Sequence, residues 1–547
     1  MSFLQLVRRE MQGSLPRLVF MSGLGGISNA AILAAINAAA AQSTVEGKPS
    51  LWSGILFIIS LFIFIKTQNY ILIASTVEIQ AIIHKVRLRL MDQVRQSELV
   101  PLEAIGRASI VAAITRDTAT LTQAANTLAF AAQGSVLIVF IAIYVAYLSL
   151  LAFTLSIIIV GLAAALFHSK SRQLAMGARQ AGEWENRLFD RLIDLLDGFK
   201  EVRLNRSRSE DLFDDVVEVS RTAANIKIRT ESETFKRMIF SQTSMYILLG
   251  AVVFIVPIFS ETAGASITKT TTALLFVVGA CFGLVQSIPM LTAANTAADN
   301  IEQLEARLRA TAAAVEPSVA EPAKRFDSIE MRGIVFRYVD RWSEATFQIG
   351  PLDFTLSSGD LVFITGGNGS GKSTFLRVLA GLYKPDSGEV MLNGVRVNDR
   401  TRESYRELIS AIFADYHLFR RLYGISDPDP IELERLLTQF RLQDKTGLTE
   451  GEFRTLDLSG GQRKRLALIV SLLEKRPILL LDEWTAEQDP EFRRKFYDEL
   501  LPALTHAGKT VVVITHDDRY LDEWKLPARR LRMDEGRFVE QYSMEER

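Results

Sequence analysis

The chain has 547 residues, of which 48% are hydrophobic and 23% are charged, and its formal net charge is −1. Because single cores rarely grow beyond about 250–300 residues, this length predicts two or more structural units. The balanced charge provides no global field that would attract nucleic acid, and a single cysteine, Cys281, excludes an internal disulfide and a cysteine metal cluster.

Long apolar runs fill the first part of the chain. A membrane-spanning helix needs roughly 17–25 mostly apolar residues. The runs that reach this length are Leu18–Ala41, Leu51–Ser75, Leu128–Leu148, Leu151–Phe167, Met238–Phe259 and Thr271–Ala294. One such run also fits a buried helix of a soluble protein, but this succession favours an all-α membrane domain with six helices. Arg8, Arg9 and Arg17 precede the first run without a convincing cleavage site, which predicts an anchored helix and no signal peptide.

Basic residues indicate how these spans are oriented. They concentrate between the second and third runs and between the fourth and fifth, whereas the other connections carry only Lys48 and Lys269. By the positive-inside tendency, we expect both long connections and both termini in the cytoplasm. An even number of spans agrees with that arrangement.

Both long connections contain apolar residues at helical spacing, as at Ile79, Ile82 and Val86. We therefore expect long helical arms that extend the spans. Their predicted tips are Ala104–Leu121 and Asp197–Asn205. These tips either contact the C-terminal region and transmit its motion or lie in solvent.

The spans also carry isolated polar side chains: Asn29, Asn37, Gln133, Tyr144 and Gln286. Polar groups at membrane depth usually face the helix bundle or a water-filled cavity. Hydrogen bonding between helices and contact with a substrate both fit this pattern.

A change of composition divides the chain. The segment from Thr311 to Pro322 is rich in Ala and Pro and is typical of a linker. We accordingly expect a membrane domain over residues 1–310, a linker over 311–325 and a soluble domain over 326–547.

A glycine-rich segment lies between a strand pattern, Asp360–Thr365, and a helical pattern, Thr374–Leu382. Glycines let successive backbone N–H groups form a nest for anionic oxygens, and the helix adds the positive end of its dipole. Lys372 is a predicted catalytic residue that reaches the β- and γ-phosphates of ATP, and Ser373 is a predicted ligand of Mg²⁺. A glycine-rich turn that binds nothing is the alternative, which the complete G-x-x-x-x-G-K-S pattern disfavours. The segment is typical of a P-loop, so we expect residues 326–547 to form an α/β P-loop NTPase domain. The predicted nucleotide-binding residues here are Gly366, Asn368, Gly369, Ser370, Gly371, Lys372, Ser373 and Thr374.

Two later strand patterns end in side chains suited to hydrolysis. The strand Ile478–Leu481 is followed by Asp482 and Glu483. In P-loop enzymes this place suits an aspartate that holds Mg²⁺ through water and an acid that polarises the attacking water. The strand Thr510–Ile514 leads to His516, which we expect to contact the γ-phosphate; a surface histidine is the alternative.

Other nucleotide contacts are predicted on both sides of the P-loop. Tyr338, in a strand pattern upstream, is the best candidate to stack on adenine, although an exposed strand tyrosine is commonplace. Glycines downstream precede a helix that begins at Arg463, which is again an anion-binding arrangement. This second segment contributes Ser459, Gly460, Gly461 and Gln462 as predicted nucleotide-binding residues.

The motifs occur in the order Gly366–Thr374, Leu458–Gln462, Ile478–Glu483 and His516. Together they resemble the Walker A motif, the signature, the Walker B motif and the histidine of an ABC-transporter nucleotide-binding domain. The whole chain is similar to an exporter-type half-transporter, in which six spans are fused to one such domain. The resemblance implies ATP and Mg²⁺ as cofactors and a second copy of the chain as partner. Two domains would pair head to tail, with Ser459 and Gly461 acting across the dimer and Asp489 in the D-loop.

A narrower likeness rests on three segments: Asp482–Arg494, Asp197–Asn205 and Phe413–Phe419. These resemble bacterial exporters of cyclic peptides, siderophore precursors and microcins. The family usually has a glutamine that touches Mg²⁺ where this chain has Ala414, and Asp415 is the candidate to replace it.

The resemblance implies ATP-driven export of a cyclic or modified peptide-type metabolite by a homodimer in the lipid of a bacterial inner membrane. Multidrug or lipid export and siderophore import by the same fold stay open, because composition does not separate them. An ATP-gated channel and a soluble ABC-type ATPase acting on DNA or ribosomes are alternatives of another class. The apolar runs disfavour the soluble ATPase, and we expect no nucleic-acid partner.

Overall fold

The computed structural model describes residues 3–10, 15–46, 50–169, 171–259, 264–311, 326–339, 346–425 and 427–544. The chain forms two compact units. One consists of Met1–Asp92 and Arg107–Ala306 and is called the helical unit below. The other consists of Gln93–Gly106 and Arg307–Arg547 and is called the mixed unit.

The N-terminal part of the chain is helical, and its helix α4 belongs to the mixed unit. The helices are α1 (Phe3–Glu10), α2 (Leu15–Glu46), α3 (Leu51–Gln96), α4 (Leu99–Ile105), α5 (Arg107–Ala112), α6 (Thr118–Leu148), α7 (Leu150–Ser169), α8 (Ser171–Asp197), α9 (Phe199–Leu204), α10 (Arg206–Phe254) and α11 (Gly264–Thr311).

Within the described residues, five helical stretches are long and apolar enough to cross a membrane: Pro16–Ala40, Leu51–Gln96, Ser109–Leu148, Arg206–Phe259 and Ile267–Ala310. They contain the first, second, third, fifth and sixth predicted spans. The fourth lies in α7, whose apolar part, Leu150–Ala165, is shorter than the others. The predicted all-α membrane domain is therefore confirmed as a fold.

Several helices are far longer than a bilayer requires. Helices α3, α10 and α11 have 46, 49 and 48 residues. At about 1.5 Å per residue, each is more than twice as long as the roughly 30 Å hydrocarbon layer is thick. Helix α8 packs along α10. The predicted helical arms are thus continuous with the spans.

The mixed unit contains the strands and the remaining helices. Its strands are β1 (Ser328–Val339), β2 (Thr346–Ser357), β3 (Leu361–Thr365), β4 (Ser387–Leu392), β5 (Val395–Arg396), β6 (Ile409–Ile412), β7 (Leu448–Thr449), β8 (Glu452–Phe453), β9 (Ile478–Asp482), β10 (Thr510–Ile514), β11 (Ala528–Asp534) and β12 (Arg537–Met544). Its later helices are α12 (Lys372–Leu379), α13 (Arg402–Arg406), α14 (Pro430–Gln439), α15 (Gly460–Leu473), α16 (Pro490–Lys495), α17 (Leu501–His506) and α18 (Asp518–Asp522).

A six-stranded sheet in the order β12-β11-β3-β10-β9-β6 forms the centre of the mixed unit. Strands β3, β9 and β10 are parallel, and every residue in them is buried. Such apolar strands need cover on both faces of the sheet. Because parallel strands end at the same edge, the segments after β3, β9 and β10 meet there. A second, antiparallel sheet has the order β2-β1-β4-β5.

Helix α4 packs on the core of the mixed unit. Leu99 and Val100 contact a hydrophobic cluster that includes Tyr383 and Tyr405. The mixed unit includes the first three residues of the arm tip predicted at Ala104–Leu121, and the packing of α4 on its core begins earlier, at Leu99. The segment Arg107–Ala306 belongs to the helical unit, and transmission of motion through this tip stays a prediction. The other predicted tip contains the short helix α9, and its contact with a nucleotide-binding domain stays a prediction.

Candidate functional site

The P-loop has a backbone that only glycine can adopt at two positions. Gly366 has φ +148°, and a Cβ there would lie 2.1 Å from the carbonyl oxygen of Met533. Gly371 has φ +103°, and a Cβ there would lie 2.8 Å from Ile349. L-residues avoid this region and these contacts, so the predicted need for glycine has a steric cause. The loop leads directly into α12.

Lys372 is folded back over the loop. Its Nζ donates hydrogen bonds to the carbonyl oxygens of Gly366 at 3.0 Å and Gly367 at 2.8 Å. Burial lowers the pKa of this amine, while the charges of Glu483 and Asp482 oppose that shift. The cation therefore lies in the field of both strand-end acids.

Asp482 is a buried acid without a hydrogen-bonding partner. The side chain is 1% exposed, and neither carboxylate oxygen has a partner within the part of the chain that the structure describes. Burial raises its pKa, although the Ser373 hydroxyl and the backbone N–H of Ala414 are close enough to oppose the shift. The buried Ser370 hydroxyl also lacks a partner. Unpaired oxygens beside a hydroxyl fit Mg²⁺, which prefers oxygen ligands.

Glu483 and His516 contact each other across the sheet edge. The distance from His516 Nε2 to Glu483 Oε1 is 3.1 Å. Glu483 has φ +49°, and the backbone is held by its N–H donating to Ile514 O at 3.0 Å and by Lys464 Nζ donating to its carbonyl oxygen at 2.9 Å. Strand pairing thus brings together the acid and the imidazole that were predicted to act on the γ-phosphate.

The signature segment is a well-formed helix start. Ser459 accepts a hydrogen bond from Gln462 N–H, and the Gln462 side chain accepts one from Ser459 N–H, which is a complete capping box. Gly460 and Gly461 lie against Glu487. A Cβ on Gly460 would be 2.1 Å from Glu487 Oε2, and a Cβ on Gly461 would be 2.7 Å from the Glu487 carbonyl oxygen. The glycines therefore allow the helix to begin beside the loop that follows β9.

Asp489 is tied to the signature helix. Its carboxylate caps α16 by accepting from Phe492 N–H at 2.8 Å, and that bond is the main reason that its pKa is lowered. Arg465 of α15 pairs with Asp489 and donates to Gln488 Oε1 at 2.8 Å. Its guanidinium also lies 3.6 Å from the centre of the Phe492 ring. Sequence reasoning missed Arg465, since a helix arginine gives no local sign of a partner 24 residues away.

A second polar network was also missed. Asp517 accepts hydrogen bonds from Thr485 Oγ1 at 2.7 Å and from Tyr497 Oη at 3.1 Å. Its other oxygen lies 3.4 Å from Arg493. The network joins the loop after Glu483 to the residue that follows His516, so both loops are held from behind.

Tyr338 lies half-exposed in β1, opposite Phe347 of β2. The ring of Phe347 would be 3.2 Å from a Cβ on Gly371, which places this strand pair beside the P-loop. Stacking of Tyr338 on adenine stays a prediction, and Phe347 is a neighbour that the sequence did not indicate. Asp415 was the candidate to replace the missing glutamine at the metal site. Its carboxylate instead forms an ion pair with Arg377 at 3.1 Å.

The structure does not bring all predicted nucleotide contacts into one cavity. A cavity of about 450 Å³ beside the P-loop is lined by Gly366, Gly367 and His516 among others. None of the residues 458–462 lines it. Lys372, Asp482 and Glu483 do not line this cavity either, so it covers only one side of the P-loop. The residues around the P-loop are called the P-loop surface below, and residues 458–462 are called the signature surface.

Comparison with known proteins identifies relatives of this chain. Residues 349–486 match the family model described as ABC transporter. The chain is 31% identical over 557 aligned positions to the ATP-binding protein SyrD of Pseudomonas syringae pv. syringae, covering 97% of this chain and 96% of that protein. It is 32% identical over 204 positions to the probable syringafactin export ATP-binding/permease protein SyfD of P. syringae pv. syringae strain B728a, covering 35% of this chain and 31% of that protein.

A solved structure extends the likeness to the complete fold. A bacterial Atm1-family ABC exporter with ATP bound superposes with a TM-score of 0.76, covering 98% of this chain and 95% of the other at 20% identity. The predicted combination of a helical membrane domain with an α/β nucleotide-binding domain is thus confirmed. The chain belongs to the ABC transporter family, with the fold of an exporter and an ATPase domain coupled to transport.

Proposed function

We propose that this chain exports a cyclic or otherwise modified peptide across the bacterial inner membrane, driven by ATP, as a homodimer. One observation carries the ATPase part: Lys372, the unpaired Asp482 and the Glu483–His516 pair converge at one sheet edge. The peptide cargo is supported by the similarity to SyfD, a probable syringafactin export protein, and by the three segments that resemble cyclic-peptide exporters.

In this proposal the chain's own residues perform separate tasks. Backbone N–H groups of the P-loop and Lys372 hold the β- and γ-phosphates, and Ser373 and Asp482 hold Mg²⁺, which supplies positive charge to the phosphates when bound. Glu483 orients the attacking water and accepts its proton. His516, 3.1 Å from that carboxylate, fixes its orientation toward the γ-phosphate.

A homodimer is proposed because one chain supplies one P-loop surface and one separate signature surface. Head-to-tail pairing would place Ser459 and Gly461 of one copy on the nucleotide held by the other. Both termini and the mixed unit would lie in the cytoplasm, which is supported by the basic residues of the long arms. ATP binding would join the two mixed units, and hydrolysis would separate them.

The test is ATP turnover by the full-length dimer in lipid with Glu483→Gln. The amide keeps the shape of the side chain but accepts no proton, so we expect turnover to fall by about 10²–10⁴-fold while nucleotide is still bound. Glu499→Gln, an exposed acid in the same unit, is the matched control and should leave turnover unchanged. Undiminished hydrolysis by Glu483→Gln contradicts the assigned role.

Transport direction is tested in the same preparation. Accumulation of a cyclic peptide inside inverted vesicles, dependent on ATP and absent with Glu483→Gln, is the expected result. Accumulation in right-side-out vesicles instead indicates import. Flux without stoichiometric hydrolysis indicates a channel.

A further inference from the structure

A large cavity lies inside the helical unit. Its volume is about 920 Å³, near the top of the roughly 300–1,000 Å³ range of ligand pockets. Helices α2, α3, α6, α10 and α11 each contribute one face to it. On α10 these residues are Glu231, Thr234, Phe235 and Met238, which recur at helical spacing.

The wall of this cavity combines amides with phenyl rings. Gln123, Gln133 and Gln286 are among the lining amides, and several phenylalanines lie between them. Gln68 also lines the cavity, and its Oε1 is buried without a hydrogen-bond partner within the described residues. Amides both donate and accept, so they match the N–H and C=O groups of a peptide backbone. The rings suit apolar side chains or an acyl chain.

Three polar residues that the sequence singled out in the spans have different contacts. Gln133 and Gln286 face the cavity, whereas the Asn37 amide donates to the carbonyl oxygen of Lys269 on another helix at 3.4 Å. Substrate contact and hydrogen bonding between helices, both left open by the sequence, are therefore divided among these side chains.

The described lining of the cavity carries a negative charge and no positive charge. Glu231 is the one charged side chain in it, and no Lys or Arg lines the cavity in the part of the chain that the structure describes. Glu231 has no ion-pair or hydrogen-bond partner among those residues, although its helix neighbour Glu233 pairs with Lys236 at 2.7 Å. Glu231 is exposed, so a cationic group of a cargo can reach its carboxylate, and no cation in the described lining compensates the charge.

We infer that this cavity holds the cargo and that Glu231 makes it selective for peptides carrying a positive charge. The inference rests on the proposed peptide export and adds the charge class of the cargo. Glu231 precedes the predicted span Met238–Phe259 by about two helical turns, which is where a cargo from the cytoplasm would enter. A cationic group placed there also meets the face of Phe235 on the next turn.

The test uses full-length protein in inverted proteoliposomes and two synthetic cyclic lipopeptides that differ only in charge. One carries two lysines, and in the other both lysines are acetylated. The wild type is expected to accumulate the cationic peptide with an apparent affinity about tenfold higher than that for the neutral one. Glu231→Gln should reduce that ratio to about one. Glu233→Gln, the matched control outside the cavity lining, should keep it.

A charge-reversal variant distinguishes loss of charge selectivity from loss of folding. Glu231→Lys is expected to prefer a succinylated, anionic version of the same peptide, which loss of folding cannot produce. Equal handling of all three peptides by the wild type, or an unchanged preference in Glu231→Gln, overturns the charge selectivity alone. Failure of the wild type to move any of the peptides, with ATP turnover intact, overturns the proposed peptide export as well.

Discussion

The buried carboxylate of Asp482 destabilises the nucleotide site when no cation is bound. The carboxylate is 1% exposed and has no hydrogen-bond partner in the described residues, so its charged form is poorly solvated. An unpaired buried charge is destabilising unless a cation neutralises it. Its raised pKa follows from that burial. We therefore expect the charge on Asp482 to lower the free energy of unfolding of the nucleotide-free protein. A bound cation should offset that loss.

We predict that Asp482→Asn raises the melting temperature of the nucleotide-free protein at neutral pH. A gain of about 1 kcal/mol corresponds to roughly 2–4 °C for a unit of this size. Because the folded pKa is raised, the wild type loses stability as the pH rises through that pKa, and the advantage of the variant must shrink as the pH falls into the ordinary aspartate range. Added Mg²⁺ and ATP should stabilise the wild type more than the variant, which keeps the phosphate-binding groups and loses a ligand of Mg²⁺.

Thermal unfolding at several pH values measures this effect. Asp444→Asn, at an exposed position, is the control and should change stability by less than about 0.5 kcal/mol. The assigned destabilisation is contradicted if Asp482→Asn melts no higher than the wild type at neutral pH. It is also contradicted if the difference in melting temperature grows at low pH.

At the residue scale, local chemistry was predictable and long-range pairing was not. Glycine is required at Gly366 and Gly371 because φ is positive there and neighbouring atoms leave no room for a Cβ. The G-x-x-x-x-G-K-S pattern indicates that requirement in the sequence. Asp517 pairs with Thr485 across 32 residues, and nothing near either residue in the sequence indicates the other.

Charged hydrogen bonds hold both ends of helix α4 within the mixed unit. Glu98, which precedes the helix, accepts from Arg406 at 2.9 Å and from Arg402 at 3.3 Å. Arg402 has only 11% of its side chain exposed. At the other end, Tyr383 donates to Glu103 at 3.1 Å, and burial raises the pKa of that phenol to about 12, so it stays a donor at neutral pH.

The position of this tip could not be read from the sequence. Glu98 and Glu103 resemble ordinary solvent-exposed acids, and the amphipathic pattern of the arm continues past them. Ala414 offers no side chain to the metal, yet its backbone N–H lies near Asp482. The ion pairs of α4 lie within the mixed unit and involve neither Ala414 nor Asp415.

We predict that Glu98→Ala separates hydrolysis from transport. Loss of two charged hydrogen bonds removes on the order of 2 kcal/mol or more from the docking of α4. ATP turnover should persist at half or more of the wild-type rate, whereas peptide accumulation in vesicles should fall at least fivefold. Glu210→Ala, whose partner Arg206 is solvent-exposed, is the control. Parallel loss of both activities contradicts a coupling role for this contact.

At the scale of the whole molecule, the sequence was sufficient for the fold and insufficient for the assembly. Helical and strand periodicities, together with the order of the motifs, predicted the membrane helices and the α/β unit. Head-to-tail pairing was implied by the family resemblance, and the fold of one chain agrees with it because residues 458–462 do not line the cavity beside the P-loop. We propose that a second copy of the chain completes each ATP site.

Disulfide cross-linking between differently tagged chains tests this claim most directly. Cys281 is the only cysteine, so Cys281→Ser gives a clean background. One chain then carries Asn368→Cys in the P-loop, the other carries Ser459→Cys in the signature, and both carry Glu483→Gln to retain nucleotide. We predict a cross-link between the two tags that forms with ATP and Mg²⁺ and is absent without nucleotide. The absence of that cross-link with ATP, or its formation only within one chain, would contradict the head-to-tail dimer.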